Sequence, residues 1–444
     1  MKLSKFNFYE KSNIKGGYIY NTNTGAILHI NDENYWNSIM DSDIENFDYE
    51  TENNLLNMQM MLEDDIDEFQ KVRNRYLENI NGEENLHLTI MPTDGCNFAC
   101  PYCFSYEKGC NVMSDETYQN ILKLIELKSN KLKRVVISWF GGEPTLATEK
   151  IISFMNTAKE VCKQENIELY SSIITNGYLL DKDNFIRMYE SGIRQFQVTL
   201  DGNKLTHDKM RYLKGFKPTF DKIINNLKAI SSIGNNYDFK FDIRCNVTKA
   251  NHESAISLIH LFDNLFSDDR RFRIYFRPVY NYETKNNEIK SMVNELYDMD
   301  EGIEMQNQMS MLTEKVTKRV SKRRLFNPLP LPTNSWCAAE LKNFFLIGPN
   351  GNLFFCDTLT GDDNSYGNLK DLINGTKINK PDGNIFNSEH NTKCIQCKLL
   401  PICYGGCMRN RINKEPECYW TIQGIQNSFA KFIDELERGC DYEN

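Results

Sequence analysis

Hydrophobic and polar residues alternate between strand-like and helix-like patterns over the middle of the chain, from about residue 86 to 325. Six short apolar runs have the character of buried strands, namely His87–Met91, Arg134–Trp139, Leu169–Ile174, Gln195–Leu200, Phe239–Val247 and Phe272–Val279. Amphipathic helical stretches lie between them, namely Asp115–Leu127, Thr148–Gln164, Lys182–Ser191, Phe220–Ile233 and Glu253–Phe266. This repeat predicts an α/β fold with a parallel sheet, arranged as a partial, open (β/α)6 TIM-like barrel.

Two further segments flank this repeat. Residues 1–85 contain a hairpin pattern at Gly16–Ile30, followed by helical patterns at Asp32–Met40 and Asp64–Leu77, which together predict a small α+β module. Residues 326–444 begin with three prolines in five residues, which marks a boundary. They contain eight of the fourteen cysteines and few long periodic runs, so we expect bound metal to hold this third domain together.

The net charge of −9 argues against a nucleic-acid partner. One basic stretch, Lys315 to Arg324, is interpreted as a solvated helix face, with a rim that attracts an acidic peptide as the alternative. The chain has no apolar run long enough to cross a membrane, and its N-terminus has no apolar region typical of a secretory signal. We therefore expect no membrane partner and a cytoplasmic location.

Fourteen cysteines in a reducing compartment indicate metal binding or catalysis rather than disulfides. None of the six histidines lies among the cysteine clusters, so a mixed Cys/His zinc site is poorly supported. Ligation by thiolates alone suits iron–sulfur clusters, with zinc as the rival. Cys162 and Cys245 fall within helix and strand patterns and are expected to be buried apolar residues, whereas Cys110 and Cys440 lie in polar surroundings.

The first cysteine cluster, Cys96-Asn-Phe-Ala-Cys100-Pro-Tyr-Cys103, directly follows the first barrel strand, where the loops of a parallel barrel carry chemistry. Three thiolates can bind three irons of a cubane and leave the fourth iron open. This motif resembles the signature of the radical S-adenosylmethionine (radical SAM) superfamily. The resemblance implies a [4Fe–4S] cluster at Cys96, Cys100 and Cys103 that cleaves SAM into methionine and a 5′-deoxyadenosyl radical.

Other motifs at the ends of the predicted strands resemble the SAM contacts of that family, and each lies where a barrel binds its ligand. The implied contacts are Tyr102 near the adenine, the motif Gly141, Gly142, Glu143 and Pro144 at the amino group, and the polar residues Thr175, Asn176, Thr199 and Arg211. Taken alone, each of these residues is more often part of an ordinary turn or strand end. Their joint position at the C-terminal ends of the predicted strands is what supports a SAM site.

Seven cysteines of the third segment resemble the SPASM domain, which carries two auxiliary [4Fe–4S] clusters and brings the expected total to three. The resemblance assigns Cys394, Cys397, Cys403 and Cys418 to an outer cluster, and Cys337, Cys356 and Cys407 to an inner one. Asn343 stands near the place of a further cysteine in sulfatase-maturing relatives, which implies an open iron in the inner cluster. A zinc ribbon is the alternative, although seven thiolates do not divide into two closed zinc sites.

The resemblance to radical SAM enzymes with this cysteine pattern implies two main candidate substrates for this chain. The first is a ribosomally synthesised Cys-rich precursor peptide, in which the enzyme forms a Cys thioether or, in relatives, a carbon–carbon link. The second is a sulfatase, in which Cys or Ser becomes formylglycine. Residues 1–85 favour the first, because they resemble the winged-helix-like peptide-recognition module of peptide maturases, whose edge strand accepts a leader peptide.

Asp357 favours the second interpretation, sulfatase maturation, because sulfatase maturases have a catalytic base at the corresponding position. As an alternative, the Asp357 side chain would only cap a turn by hydrogen-bonding to the backbone. A flavodoxin or ferredoxin is the expected reductant. A scaffold or an electron carrier without SAM chemistry is the alternative from another functional class.

Overall fold

The computed structural model describes residues 1–44, 47–103, 109–280, 292–319, 329–387, 391–413 and 418–440. The chain forms two compact units. The first contains Met1–Gly82, Val320–Lys342 and Asp382–Asn444, and the second contains Glu83–Arg319 and Asn343–Pro381. This division differs from the three consecutive domains expected from the sequence, because Asn343–Pro381 of the expected third domain belongs to the unit that contains the barrel.

The N-terminal part of the first unit begins with a three-stranded antiparallel sheet of order β2-β3-β4, with β4 at an edge. Its elements are β1 (Lys2–Leu3), β2 (Asn7–Lys11), β3 (Gly17–Asn21), β4 (Ile27–Ile30), α1 (Glu33–Met40), α2 (Tyr49–Asn57), β5 (Met61–Leu62) and α3 (Glu68–Asn81). The predicted hairpin is confirmed as β3 and β4. Helix α2 was not predicted, because it buries only Leu55 and so carries little hydrophobic pattern.

The six predicted barrel strands are confirmed as adjacent parallel strands. They are β6 (Asn85–Ile90), β7 (Arg134–Trp139), β8 (Glu168–Thr175), β9 (Gln195–Thr199), β10 (Lys240–Val247) and β11 (Phe272–Pro278). Among its described residues up to 319, the α-helices of this unit are α4 (Asp115–Lys128), α5 (Thr148–Gln164), α6 (Lys182–Glu190), α7 (Lys204–Met210), α8 (Phe220–Ser231), α9 (His252–Phe266) and α10 (Met299–Thr317). The five predicted helices are confirmed, and α7 and α10 are additional.

The barrel sheet continues beyond β6 with three strands from the expected third domain. These are β12 (Phe344–Ile347), β13 (Asn352–Phe354) and β14 (Gly367–Asn368), followed by helix α11 (Leu369–Ile373). Strand β12 pairs with β6 in parallel, and β13 and β14 continue antiparallel, so the described part of the chain gives this sheet nine strands. Backbone pairing to β6 is therefore why residues 343–381 belong to this unit.

The two faces of the barrel strands differ in polarity. On β10, Phe241, Ile243, Cys245 and Val247 pack into the core between sheet and helices. The alternate residues Asp242, Arg244 and Asn246 therefore point to the other face, because successive side chains of a strand alternate. Cys162 and Cys245 are buried, as predicted.

The C-terminal part of the first unit contains the helices α12 (Thr392–Ile395), α13 (Leu400–Cys403), α14 (Met408–Asn413) and α15 (Ile422–Cys440). Helix α15 packs on the N-terminal sheet, where Phe429 lies 5.8 Å from the ring of Tyr20. Gln426 donates a hydrogen bond to the carbonyl of Tyr9 on β2. The edge of β2 is thus covered within the unit.

The basic stretch is only partly described, because residues 320–324 lie outside the described residues. Arg319 is not a solvated charge, since it donates hydrogen bonds to the carbonyls of Ser267 and Phe272. Among the described residues, no helix combines the length and apolar character needed to cross a bilayer.

Candidate functional site

A cavity of about 270 Å³ lies at the carboxyl ends of the barrel strands. It brings together most of the site residues predicted in this unit, namely Cys96, Cys100, Tyr102, Cys103, Gly141, Gly142, Glu143, Thr175, Asn176, Thr199, Arg211 and Asp357. Pro144 and Cys356 are the exceptions: Pro144 is buried in the turn after β7, Cys356 directly precedes Asp357, and neither lines the cavity.

The cysteine loop after β6 is anchored by backbone and amide hydrogen bonds. The Ala99 N–H donates to the carbonyl of Tyr212 at 2.9 Å. The side-chain amide of Asn176, at the end of β8, donates to Asn97 Oδ1 at 2.7 Å. The Phe98 N–H points to Cys96 Sγ at 3.3 Å. These contacts hold the cysteine loop against the neighbouring strand ends.

Gly141 and Gly142 let the loop after β7 lie directly against the cysteine loop. Gly141 has a φ of +121°, which favours glycine. A Cβ at Gly142 would lie 2.0 Å from the carbonyl oxygen of Gly95, so any side chain there would displace the backbone. The Glu143 N–H then donates to the same carbonyl at 2.8 Å. The glycine pair therefore sets the distance between the two loops.

The Glu143 carboxylate is buried and accepts hydrogen bonds from within the chain. Its Oε1 accepts from the Thr145 N–H at 3.0 Å and from the Thr175 hydroxyl at 2.6 Å, and its Oε2 accepts from the Asn176 N–H at 2.7 Å. Burial raises the pKa of this carboxyl, while these hydrogen bonds act in the opposite direction. Glu143 thus ties the ends of β7 and β8 together.

Tyr102 connects the cysteine loop to the ends of β9 and β10. Its hydroxyl donates to Asp201 and accepts from Arg211 Nη1 at 2.6 Å and from the Asn246 amide at 3.2 Å. The Asp201 carboxylate also accepts from the Asn246 N–H at 2.9 Å. Burial raises the pKa of both Tyr102 and Asp201. The hydroxyl of Tyr102 is therefore committed to a buried polar network.

His207, which is completely buried, contacts this network through the backbone of Asp201. Its Nδ1 accepts a hydrogen bond from the Asp201 N–H at 3.2 Å, and its Nε2 lies 3.1 Å from the hydroxyl of Thr219. An accepting Nδ1 requires the neutral ring with its proton on Nε2. Burial lowers the pKa of His207 well below its usual value, in agreement with this tautomer.

The donors around the cavity fit an iron–sulfur cluster and an anionic ligand group. Three thiols line one wall. Arg211 also lines the cavity, and within the described residues its buried Nε has no hydrogen-bond partner. A buried donor without an acceptor is costly, so this N–H is suited to a ligand carboxylate.

Residues that the sequence did not single out complete the cavity, above all Gln197 on β9 and Arg244 and Asn246 on β10. Arg244 Nε donates to Asn246 Oδ1 at 2.8 Å. Their signal was present in the sequence as polar residues at every second position of otherwise apolar strands. Such positions face the barrel interior, opposite the helices.

Asp357 reaches the same cavity from the loop after β13. The Cys356 thiol lies 3.7 Å from Asp357 Oδ1 and 3.1 Å from the hydroxyl of Thr358. Although Asp357 is open to the cavity, the surrounding protein raises the pKa of its carboxyl, while the Cys356 thiol and the charge of Arg244 lower it in part. The structure thus brings the predicted base into the cavity of the first cysteine cluster.

In the first unit, the four cysteines predicted for the outer cluster converge on a second, small apolar cavity of about 30 Å³. It is lined by Cys394, Cys397, Cys403 and Cys418, together with Leu399, Leu400, Gly405 and Trp420. Burial raises the pKa of the Cys403 thiol to about 12. In the described part of the chain, no three His, Cys, Asp or Glu side chains converge as ligands of one metal ion do. This spacing is compatible with a four-iron cubane, because a cubane binds each thiolate through a different iron and so keeps the four sulfurs further apart than one metal ion would.

The three cysteines predicted for the inner cluster are divided between the units: Cys337 and Cys407 belong to the first and Cys356 to the second. Asn343, which stands near the place expected for a further cysteine, is buried in the second unit. Its side chain donates to the carbonyl of Glu83 at 3.0 Å and accepts from Lys128 Nζ at 2.9 Å. Asn343 therefore has a structural role next to β12.

The radical SAM superfamily matches residues 90–261. A cysteine-type anaerobic sulfatase-maturating enzyme of Clostridium novyi is 25% identical over 363 residues, which cover 75% of this chain and 90% of that enzyme. The structure of anSMEcpe with bound AdoMet and Cp18Cys peptide matches with a TM-score of 0.55 and 22% identity, over 79% of this chain and 96% of that one.

SuiB of Streptococcus suis, bound to its precursor peptide SuiA, matches with a TM-score of 0.55 and 19% identity. This match covers 94% of the present chain and 99% of SuiB. At these identities both structural matches establish a shared fold. A match over 94% leaves about 27 of 444 residues unmatched, so most of the first 82 residues share the SuiB fold.

Proposed function

Because the chain carries a radical SAM domain, we propose that it is a maturase that forms a Cys thioether cross-link within a ribosomally synthesised, Cys-rich precursor peptide. One observation carries this proposal: the N-terminal three-stranded sheet ends in the edge strand β4. A peptide can add to such an edge as one more strand. The fold shared with SuiB across this region supports the same assignment.

The register of β3 and β4 identifies the free edge. The Asn21 N–H donates to the Ala26 carbonyl, and Gly17 pairs with Ile30. Hydrogen-bonded pairs alternate along antiparallel strands, so the backbone groups of Ala26, Leu28 and Ile30 bond β3. The N–H and C=O groups of Ile27 and His29 therefore point outwards, where a leader strand would bind.

In the barrel, Cys96, Cys100 and Cys103 would hold the [4Fe–4S] cluster. Bound there, the cluster and SAM supply a radical that abstracts a hydrogen atom. Gly141, Gly142, Glu143 and Pro144 would shape the SAM site. Tyr102, Thr175, Asn176, Thr199 and Arg211 would orient SAM. Asp357 would take the proton of the substrate thiol, since it reaches the same cavity.

The overall reaction balances without an external oxidant. The substrate loses the thiol hydrogen as a proton and one carbon-bound hydrogen as an atom, and a C–S bond forms between the two sites. One electron is left over when the thiolate joins the carbon radical, and it would return to the iron–sulfur clusters in place of the priming electron. SAM leaves as methionine and 5′-deoxyadenosine, which contains the abstracted hydrogen. The enzyme is thus an oxidoreductase in which SAM is the oxidant. A flavodoxin or ferredoxin would provide the priming electron.

The two auxiliary clusters of the proposed SPASM domain would be held by the remaining cysteines. Cys394, Cys397, Cys403 and Cys418 would bind the outer cluster, which the shared cavity supports. Cys337, Cys356 and Cys407 would bind the inner one and leave an iron open to a substrate thiolate.

A second candidate function is sulfatase maturation, which the position of Asp357 and the Clostridium novyi relative favour. Mass spectrometry after anaerobic reaction with a precursor peptide encoded beside the gene, and with a sulfatase-derived Cys peptide, separates the two. Loss of two hydrogens with a thiol that resists alkylation supports the thioether. Replacement of the sulfur by an aldehyde oxygen, in the sulfatase peptide alone, would overturn it. A Cys100→Ala variant, expected to cleave no SAM, is the control.

A further inference from the structure

A buried ion pair lies beside the four-cysteine cavity of the first unit. Arg411 Nη2 lies 2.6 Å from Glu340 Oε1, and both side chains are almost completely buried. Glu340 ends the short turn Ala338–Glu340 that follows Cys337. Arg411 lies in α14, and its N–H donates to the carbonyl of Cys407. The pair therefore joins two segments that each carry a cysteine.

Stability alone does not explain this pair. Two buried charges cost more than their attraction returns unless further hydrogen bonds satisfy them. Within the described residues, Arg411 Nε and Nη1 are buried and have no hydrogen-bond partner, and the contact of Nη2 with Glu340 Oε1 is an ion pair without hydrogen-bond alignment. The aromatic residues Tyr76 and Tyr404, stacked at 4.7 Å, belong to the apolar cluster of this region. The contact with Glu340 therefore leaves buried donors of Arg411 unsatisfied.

The four-cysteine cavity is close to Arg411. Gly405 lines this cavity, and a Cβ on Gly405 would lie 3.6 Å from Arg411 Cδ. Cys394 lines it too and packs against the same apolar cluster as Tyr76 and Tyr404. The Arg411 side chain therefore passes next to the wall of the cavity that the four cysteines line, close to any group they bind.

We propose that Arg411, held in place by Glu340, is a positioning residue that sets the reduction potential of an iron–sulfur cluster bound by Cys394, Cys397, Cys403 and Cys418. Reduction adds negative charge to the cluster, so a nearby cation stabilises the reduced state and raises the potential. The proposal rests on the four-cysteine cluster of the proposed function, but not on the identity of the substrate.

A redox titration of the anaerobically reconstituted full chain, followed by electron paramagnetic resonance, tests it. The wild type and all variants are titrated in the same buffer at pH 8. We expect Arg411→Met to lower the reduced-to-oxidised ratio of one auxiliary signal about tenfold at fixed potential, a shift of about 59 mV for one electron. Glu340→Gln keeps an acceptor that holds Arg411 but removes the negative charge, so it should shift the same signal the opposite way.

Three further variants keep the test decisive. Arg411→Lys retains the charge and should retain most of the potential, which a loss of folding would not allow. Arg438→Gln removes an exposed arginine of the same unit and should change nothing. Cys418→Ala should remove the shifted signal and lower the iron content.

Equal potentials in Arg411→Met and wild type, or shifts of the same sign in both single variants, would overturn the proposal. So would unchanged iron content in Cys418→Ala. A chain that shows the opposite shifts but modifies no peptide would instead contradict the proposed function alone.

Discussion

Arg211 donates a hydrogen bond to the hydroxyl of Tyr102 at 2.6 Å, across the cavity that contains the first cysteine cluster. Tyr102 is part of the cysteine loop, whereas Arg211 follows helix α7, which comes after β9. The contact therefore connects the loop that would hold the cluster to the side chain that would hold the SAM carboxylate.

Replacing Tyr102 with Phe should weaken both the fold and SAM binding. The hydroxyl satisfies the buried groups Asp201 and Arg211 and the half-buried amide of Asn246, and leaving buried groups unsatisfied costs about 1–3 kcal/mol. Urea unfolding should show this loss, and equilibrium dialysis should show SAM bound about tenfold more weakly. Tyr49→Phe is the control, because Tyr49 is exposed. Unchanged SAM affinity in Tyr102→Phe would show that Arg211 is positioned without Tyr102.

Replacing Gly142 with Ala should prevent assembly of the barrel cluster. The new Cβ would lie 2.0 Å from the Gly95 carbonyl oxygen, so the cysteine loop must move. Iron analysis should show about one [4Fe–4S] cluster fewer per chain, and SAM cleavage should be lost. Gly82→Ala is the matched control, since its Cβ would meet nothing nearer than 3.4 Å. Full iron content with normal SAM cleavage would contradict the tight contact of the two loops.

His207 should make the chain less stable at mildly acidic pH. Burial lowers its pKa well below 6.5, so below that pH the unfolded chain binds the proton and the folded chain does not. The free energy of unfolding should therefore decrease as pH falls below about 6.5, by up to about 1.4 kcal/mol per pH unit.

The measurement for His207 is urea unfolding between pH 5 and 7.5, compared with His207→Gln, which cannot titrate. The stability difference between wild type and variant should be constant above pH 7 and shrink below 6.5. A constant difference over the whole range would mean that the folded chain accepts the proton as readily as the unfolded chain.

The sequence predicted the barrel strands because each is a compact apolar run between helical patterns. It also predicted most cavity residues, because their motifs directly follow those strands. It missed Arg244 and Gln197, which lie inside strands rather than after them. It also missed the pairing of β12 with β6, since Phe344 and His87 are far apart in the chain and short strands leave no local trace of their partner.

Asp357→Asn should slow peptide modification about a hundredfold, the contribution typical of a general base. Cleavage of SAM without peptide should remain within twofold of wild type, because Asp357 lies beside Cys356 and not on the cysteine loop. Both rates are measured by chromatography of 5′-deoxyadenosine and by mass spectrometry of the peptide. Asp363→Asn, at an exposed position of the same segment, is the control. Undiminished cross-linking would remove Asp357 from the mechanism.

The edge strand β4 offers the most direct test of leader binding. His29→Pro removes one outward N–H without removing a bond to β3, so the sheet should fold while the leader loses a backbone partner. Fluorescence anisotropy with a labelled leader peptide should show about tenfold weaker binding. His29→Val keeps the N–H and should bind the leader normally, although it loses the ring stacked on Tyr18 at 4.2 Å. Leu28→Pro removes an N–H that bonds β3 and should destabilise the unit. Equal leader affinity of His29→Pro and His29→Val would place the leader elsewhere than on β4.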